Sequence, residues 1–261
     1  MGVMLPRVLM RQPHGDDGMR VDGFSFREDV SGPDRGKYLW GSPTYAFAGV
    51  LIRAFAEAGW LADIRGVQRD VEGSGLITTL PVDDFGTDAA GITPKSSAEV
   101  VVTDRLEKTL SEYGFMTLCD CKDTSYSAIY STPSIQKPKS YSKPEATRNA
   151  RVSSLLQFML CVSRFAHYVK VIARDKVGTT KTPEDFQRLL SDWLADYVTP
   201  DADATLDVKA RNPLREASVE VQERRGSPGV YQCIIRLAPH YELDELCANV
   251  QLATELAPTR A

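Results

Sequence analysis

Residues 216–237 read EASVEVQERRGSPGVYQCIIRL, and this stretch decides the fold class. Ala217, Val219 and Val221 alternate with Ser218, Glu220 and Gln222, a period of two that predicts a half-buried strand. Arg225 to Gly229 (RGSPG) supplies turn residues, and VYQCIIRL at 230–237 is a more continuous apolar strand. Further on, Leu246, Ala248, Val250 and Leu252 alternate with Cys247, Asn249 and Gln251, predicting a third strand. Strands at the end of a chain leave an open edge that can accept a strand from another molecule.

Upstream the period changes to that of a helix. Over 145–176, Val152, Leu155, Met159, Val162, Ala166, Val169 and Ala173 recur at spacings of three and four. Phe158, Cys161, Phe165, Tyr168 and Ile172 form an adjacent stripe, so the spacing predicts one long helix with a broad apolar face. Cys161 and His167 lie about 120° apart around that axis and about 9 Å apart along it, with Asp175 about 12 Å beyond His167. The three cannot form a local catalytic group, and Cys161 reads as core. Ser163, His167, Lys170 and Arg174 share a polar stripe, which suits either a solvated face or contact with an acidic partner surface.

The pattern continues in both directions from that helix. Ser42-Pro43 opens a helix over 43–58, closed by Gly59; its apolar residues run round most of the circumference, which predicts burial. Strands are expected at 60–67 (WLADIRGV), 99–102, 115–121 and 126–131, and a helix from Thr103 to Tyr113. Residues 70–95 form a loop whose Glu72-Gly-Ser-Gly75 lacks the third glycine of a dinucleotide site. QKPKSYSKP at 136–144 reads as an extended connector, since residues before proline avoid helical angles. Thr182 caps a helix through FQRLLSDWLADYV, and an acidic spacer at 201–212 follows. The class is α+β: buried helices beneath a mainly antiparallel β terminal module, with a division at 1–212 and 213–261.

Composition narrows the function. With 31 Lys and Arg against 35 Asp and Glu, the 261 residues carry a formal charge of −4, without the basic face expected of a nucleic-acid binder. No apolar run approaches the ~18 residues of a membrane span, and the first residues are too broken by Pro and Arg for a secretory signal, so a cytoplasmic location is expected. Five cysteines without paired C-x2-C knuckles read as reduced structural thiols. His14 and His240 stand alone, and no nucleophile-elbow, zincin or phosphate-loop pattern occurs.

Six longer phrases carry a resemblance: PRVLMRQPHG, YLWGSPTYAFAGVLIRAFAEAGWLADIRGV, EVVVTDRLEKTLSEYGFMTLCDCKDTSYSAIY, QKPKSY, SRFAHYVKVIARDKVG and NPLREASVEVQERRGSPGVYQCIIRLAPHYELDEL. In order and across nearly the whole chain they resemble the large subunit of the type VI secretion contractile sheath, the TssC (VipB, EvpB) family. The resemblance implies a structural role without cofactor or nucleotide site. Implied partners are a small sheath subunit (TssB/VipA-like), further copies in a helical sheath, the enclosed inner tube (Hcp-like) and, indirectly, a disassembly ATPase. It also implies that the chain corresponds to the C-terminal half of subunits about twice as long. On this reading Val219, Val221, Leu246, Ala248, Val250 and Leu252 mark inter-subunit strand pairing, and Lys170 and Arg174 mark tube or partner contact. The alternatives are a non-polymerising adaptor, or a hydrolase joining Cys119 or Cys121 to His240.

Overall fold

The computed structural model describes residues 1–15, 26–67, 72–83, 85, 96–121, 124–176, 182–223 and 231–240, together with strand backbone at 242–243, 246–247 and 250–256. The chain is mixed α+β and divides into two compact units, residues 1–53 with 64–135 and residues 54–63 with 136–261.

The first unit is built from short strands. β1 (Val3–Leu5), β2 (Val8–Leu9) and β3 (Trp40–Gly41) precede α1 (Thr44–Ala58), whose last turn belongs to the second unit. β4 (Leu76–Ile77), α2 (Asp104–Glu112), β5 (Phe115–Thr117), β6 (Cys119–Asp120) and β7 (Ser127–Ala128) complete it. β1 lies parallel to β5, β2 pairs antiparallel with β3, and β7 sits between β4 and β6. Thr103 caps α2 as its hydroxyl accepts from the Leu106 amide, with Asp104 and Glu107 in the first turn favouring the helix dipole. Leu9, Tyr38 and Phe85 form a buried cluster, the two rings edge to face at 5.0 Å.

Two predicted strands are absent. Residues 60–67 do show the alternation, with Trp60, Ala62 and Ile64 buried, yet no strand pairs with them. Gly66 instead gives its amide to the Ile129 carbonyl and accepts from Gly75, at a positive φ of 77°. At 99–102 the run is apolar but Val100 and Val101 are exposed, and only Ala98 bridges to Val8. Periodicity records which side chains are buried and says nothing of whether a neighbour offers its backbone.

The second unit begins with a broken helix. The predicted single helix is two, α3 (Pro144–Ser153) and α4 (Leu156–Lys176), bent by 71°. The break follows from the Ser153-Ser154 pair. The Ser154 amide and hydroxyl both bond to the Arg151 carbonyl, and the Leu155 amide bonds to Val152, three residues back rather than four. α5 (Pro183–Ala195) is capped by the Thr182 hydroxyl accepting from the Asp185 amide at 3.1 Å. The acidic spacer at 201–212 carries a short helix, α6 (Leu206–Arg211).

β8 (Leu214–Glu223), β9 (Tyr231–Pro239) and β12 (Val250–Leu256) then form an antiparallel sheet in the order β12-β9-β8; β10 (Glu242–Leu243) and β11 (Leu246–Cys247) pair only with each other. One core joins these elements. Phe158, Cys161, Phe165 and Val169 of α4 and Phe186, Leu190 and Leu194 of α5 pack with Val219, Val221, Cys233, Ile235 and Leu237 of the sheet. Trp60 stacks on Phe165 with ring centroids 4.2 Å apart. The helix α1 is buried on one face only: Phe47, Val50 and Ala54 are inside while Tyr45, Ile52 and Phe55 are exposed, a departure from the burial its composition predicts.

Candidate functional site

The sheet of β8, β9 and β12 has two edges, and its register fixes what each can offer. Val219 stands opposite Ile235 and Val221 opposite Cys233; on the other side Val250 faces Leu237 and Leu252 faces Ile235. In an antiparallel ladder, residues alternate between exchanging both backbone bonds with the partner strand and directing both away from it. The Val221 amide donates to the Gln187 side-chain oxygen of α5 at 3.0 Å, so it points away from β9. Ala217 and Val219 share that direction because the register is regular from Glu216 to Glu223.

The side chains of Val219 and Val221 point into the core, each 8% exposed. What β8 can present to a partner is therefore backbone. Part of that backbone is already taken. Thr199 donates to the Leu214 carbonyl and the Leu214 amide donates to Tyr197, so the segment after α5 covers the start of the edge. Gln187 covers Val221. Between them lies a cleft of about 250 Å³ lined by Ser191, Leu194, Ala195, Val198, Ala217, Ser218 and Val219. Among the described residues, the open length of β8 is thus a window at Ala217 and Val219.

β12 offers more. It pairs with β9 over seven residues, from Val250 opposite Leu237 to Leu256 opposite Tyr231, and among the described residues no further strand pairs with it. The same alternation sets its phase. Leu237, Ile235 and Cys233 direct their backbone away from β8, hence toward Val250, Leu252 and Thr254. Gln251, Ala253 and Glu255 then direct theirs outward. The apolar positions that mark the strand in sequence are the ones whose amides are spent inside the sheet.

The remaining predicted residues fall elsewhere. Leu246 lies in the separate two-residue pair with Leu243, and Ala248 is outside the described residues. Lys170 and Arg174 are exposed on α4, where the Arg174 guanidinium lies 3.5 Å from the Asp175 carboxylate. Ser163 turns its hydroxyl back onto the Met159 carbonyl, as helix-interior serines do. Sequence reasoning missed Gln187 and the 197–199 segment; both act on β8 from outside it, and no local pattern signals them.

Three thiols, those of Cys119, Cys121 and Cys233, are poor nucleophiles. Burial pushes Cys119 and Cys233 up to about 11, and burial also raises Cys121, so at neutral pH they are protonated. Cys119 contacts the Thr117 hydroxyl and Cys121 the Tyr130 hydroxyl, whereas His240 interacts with the Thr199 and Leu214 backbone and its Nε2 is buried without a partner. Burial, then Lys209, pushes the His240 imidazole down. None of these contacts joins Cys119 or Cys121 to His240. No single described helix is long and apolar enough to cross a membrane.

Comparison with known proteins gives a consistent result. Residues 1–136 match the family described as EvpB/VC_A0108, tail sheath N-terminal domain, and residues 145–256 match EvpB/VC_A0108, tail sheath gpW/gp25-like domain. The interval between them falls on the extended connector. Over 256 residues the chain is 40% identical to the type VI secretion system sheath protein TssC1 of Pseudomonas aeruginosa, covering 98% of this chain and 51% of that relative. The chain spans about half the length of the curated relative it matches.

Proposed function

This chain belongs to the EvpB/VipB tail sheath family, and from that premise we propose that it works as a structural part of the type VI secretion contractile sheath. It assembles in the cytoplasm with a small sheath subunit and with copies of itself around an inner tube. Its 213–261 segment is the pairing module, and the edges of the terminal sheet are the joints. The single observation that carries this reading is the length of β12 that no further strand pairs with among the described residues, the backbone of Gln251, Ala253 and Glu255 turned outward.

Main-chain pairing suits a sheath because it does not depend on side-chain fit and survives a change of pitch. Each bond contributes a net ~0.5–1.5 kcal/mol. Several in a row hold subunits together while their domains slide. The window at Ala217 and Val219 is a second, shorter joint, its reach set by Gln187 on one side and the 197–199 segment on the other.

The experiment replaces the matching half of the Pseudomonas relative with residues 1–261 and co-expresses the chimera with its small sheath subunit. Electron microscopy is expected to show sheath tubes, and their absence contradicts the reading. Tube contact is assigned to Lys170 and Arg174. Exposed charge pairs contribute about 0.2–1 kcal/mol each and are screened by salt. In the chimera, Lys170→Glu with Arg174→Glu is expected to weaken co-sedimentation of the inner tube several-fold at low salt and little at high salt. Unchanged co-sedimentation removes both residues from the contact.

A further inference from the structure

Over residues 45–52 the outward face of α1 is apolar, regular and uncovered among the described residues. Tyr45 is 73% exposed and Ile52 69%, and Ala48 and Gly49 are exposed between them; past Arg53 the stripe ends, where the Arg164 guanidinium lies 4.4 Å from the Phe55 ring centroid. The spacings of three and four residues place all four on one stripe, opposite the buried Phe47 and Val50. No charged residue interrupts it. Large residues flanking small ones are the pattern of a seam where a second helix approaches closely. Gly49 fits the same pattern: a Cβ at that position meets nothing within 4 Å, so nothing inside the chain requires glycine there, and glycine weakens a helix interior.

We propose that this face is a helix-docking seam whose occupant is a helix from the half of a sheath subunit that the Pseudomonas relative carries beyond the matched region. Two observations favour that occupant. The relative is about twice as long as its matched part. The seam also lies within the stretch that matches the sheath N-terminal domain, residues 1–136. An apolar seam without charge suits a permanent neighbour, since reversible contacts carry a polar rim. The seam rests on family membership and is independent of strand pairing at β12, so Ala253→Pro leaves it intact.

The test co-expresses tagged residues 1–261 with the remaining half of the Pseudomonas relative and measures co-purification. Wild type captures the other half. Ile52→Glu and Gly49→Leu, both at exposed positions, keep the melting temperature of the chain and lower capture at least about tenfold. Tyr45→Cys labels quickly with a maleimide in the chain alone and at least about tenfold more slowly in the complex; this labelling decides the matter should either variant melt early. Failure of wild type to capture the other half overturns the proposal, as does equal capture by both variants or an unprotected Tyr45→Cys. If the same substitutions instead dissolve a self-associated form of the chain alone, the occupant is a second copy and the proposal fails.

Discussion

Phe165→Ala is expected to destabilise the second unit by about 3–5 kcal/mol, the range for deleting a buried aromatic ring. Phe165 is fully buried, stacks on Trp60 at 4.2 Å, and meets Tyr197 and Trp193 edge to face at 5.8 and 5.9 Å. With Tyr168 it carries α4 into the aromatic cluster, and as the fully buried member of the pair it leaves on removal a cavity that rigid neighbours cannot close. Two of the three tryptophans, Trp60 and Trp193, lie in this cluster and report on it. Urea denaturation followed by their fluorescence gives the value directly. By contrast, Tyr45→Ala at the exposed α1 face is expected to stay within about 0.5 kcal/mol. A Phe165→Ala effect below 1 kcal/mol contradicts the packing described for this unit.

The second large effect is on assembly. Proline removes one backbone donor, and the position decides which one. At Ala253 the lost donor points out of the sheet, so Ala253→Pro keeps the β12–β9 ladder while blocking a neighbour's strand. In the chimera it is expected to abolish sheath tubes, with helical circular dichroism and melting temperature close to the parent. At Val250 the lost donor faces Leu237, so Val250→Pro frees the start of β12 and lowers both stability and assembly. The side chain of a strand faces the core by one alternation and its amide faces the edge by another. Tubes formed normally by Ala253→Pro rule out the outer edge of β12 as the joint.

Much of the architecture was legible because burial imposes its period on the sequence. The alternation at Ala217, Val219 and Val221 reports β8 correctly, and the Thr103 and Thr182 hydroxyls mark two helix starts that the caps confirm. The helix break at Ser154 was not legible from the apolar stripe, since Val152 and Leu155 keep a spacing of three across it while the backbone bonds shorten. Residues 60–67 and 99–102 look like strands for the same reason in reverse. The proposed joints are only half legible. Apolar alternation identifies Val219, Val221, Val250 and Leu252 as strand residues, but β8 turns its valine side chains into the core. Which amides stay free depends on Gln187, on Tyr197 and Thr199, and on the ladder phase, none of which is local in sequence.

Amide hydrogen exchange on the chimera, free and assembled with the small sheath subunit, tests strand pairing most directly. The outward amides of Gln251, Ala253 and Glu255 should exchange quickly in the free subunit and slow by about tenfold or more in the sheath, while those of Val250, Leu252 and Thr254 are protected in both. Outward amides that exchange equally fast in the assembled sheath contradict the account.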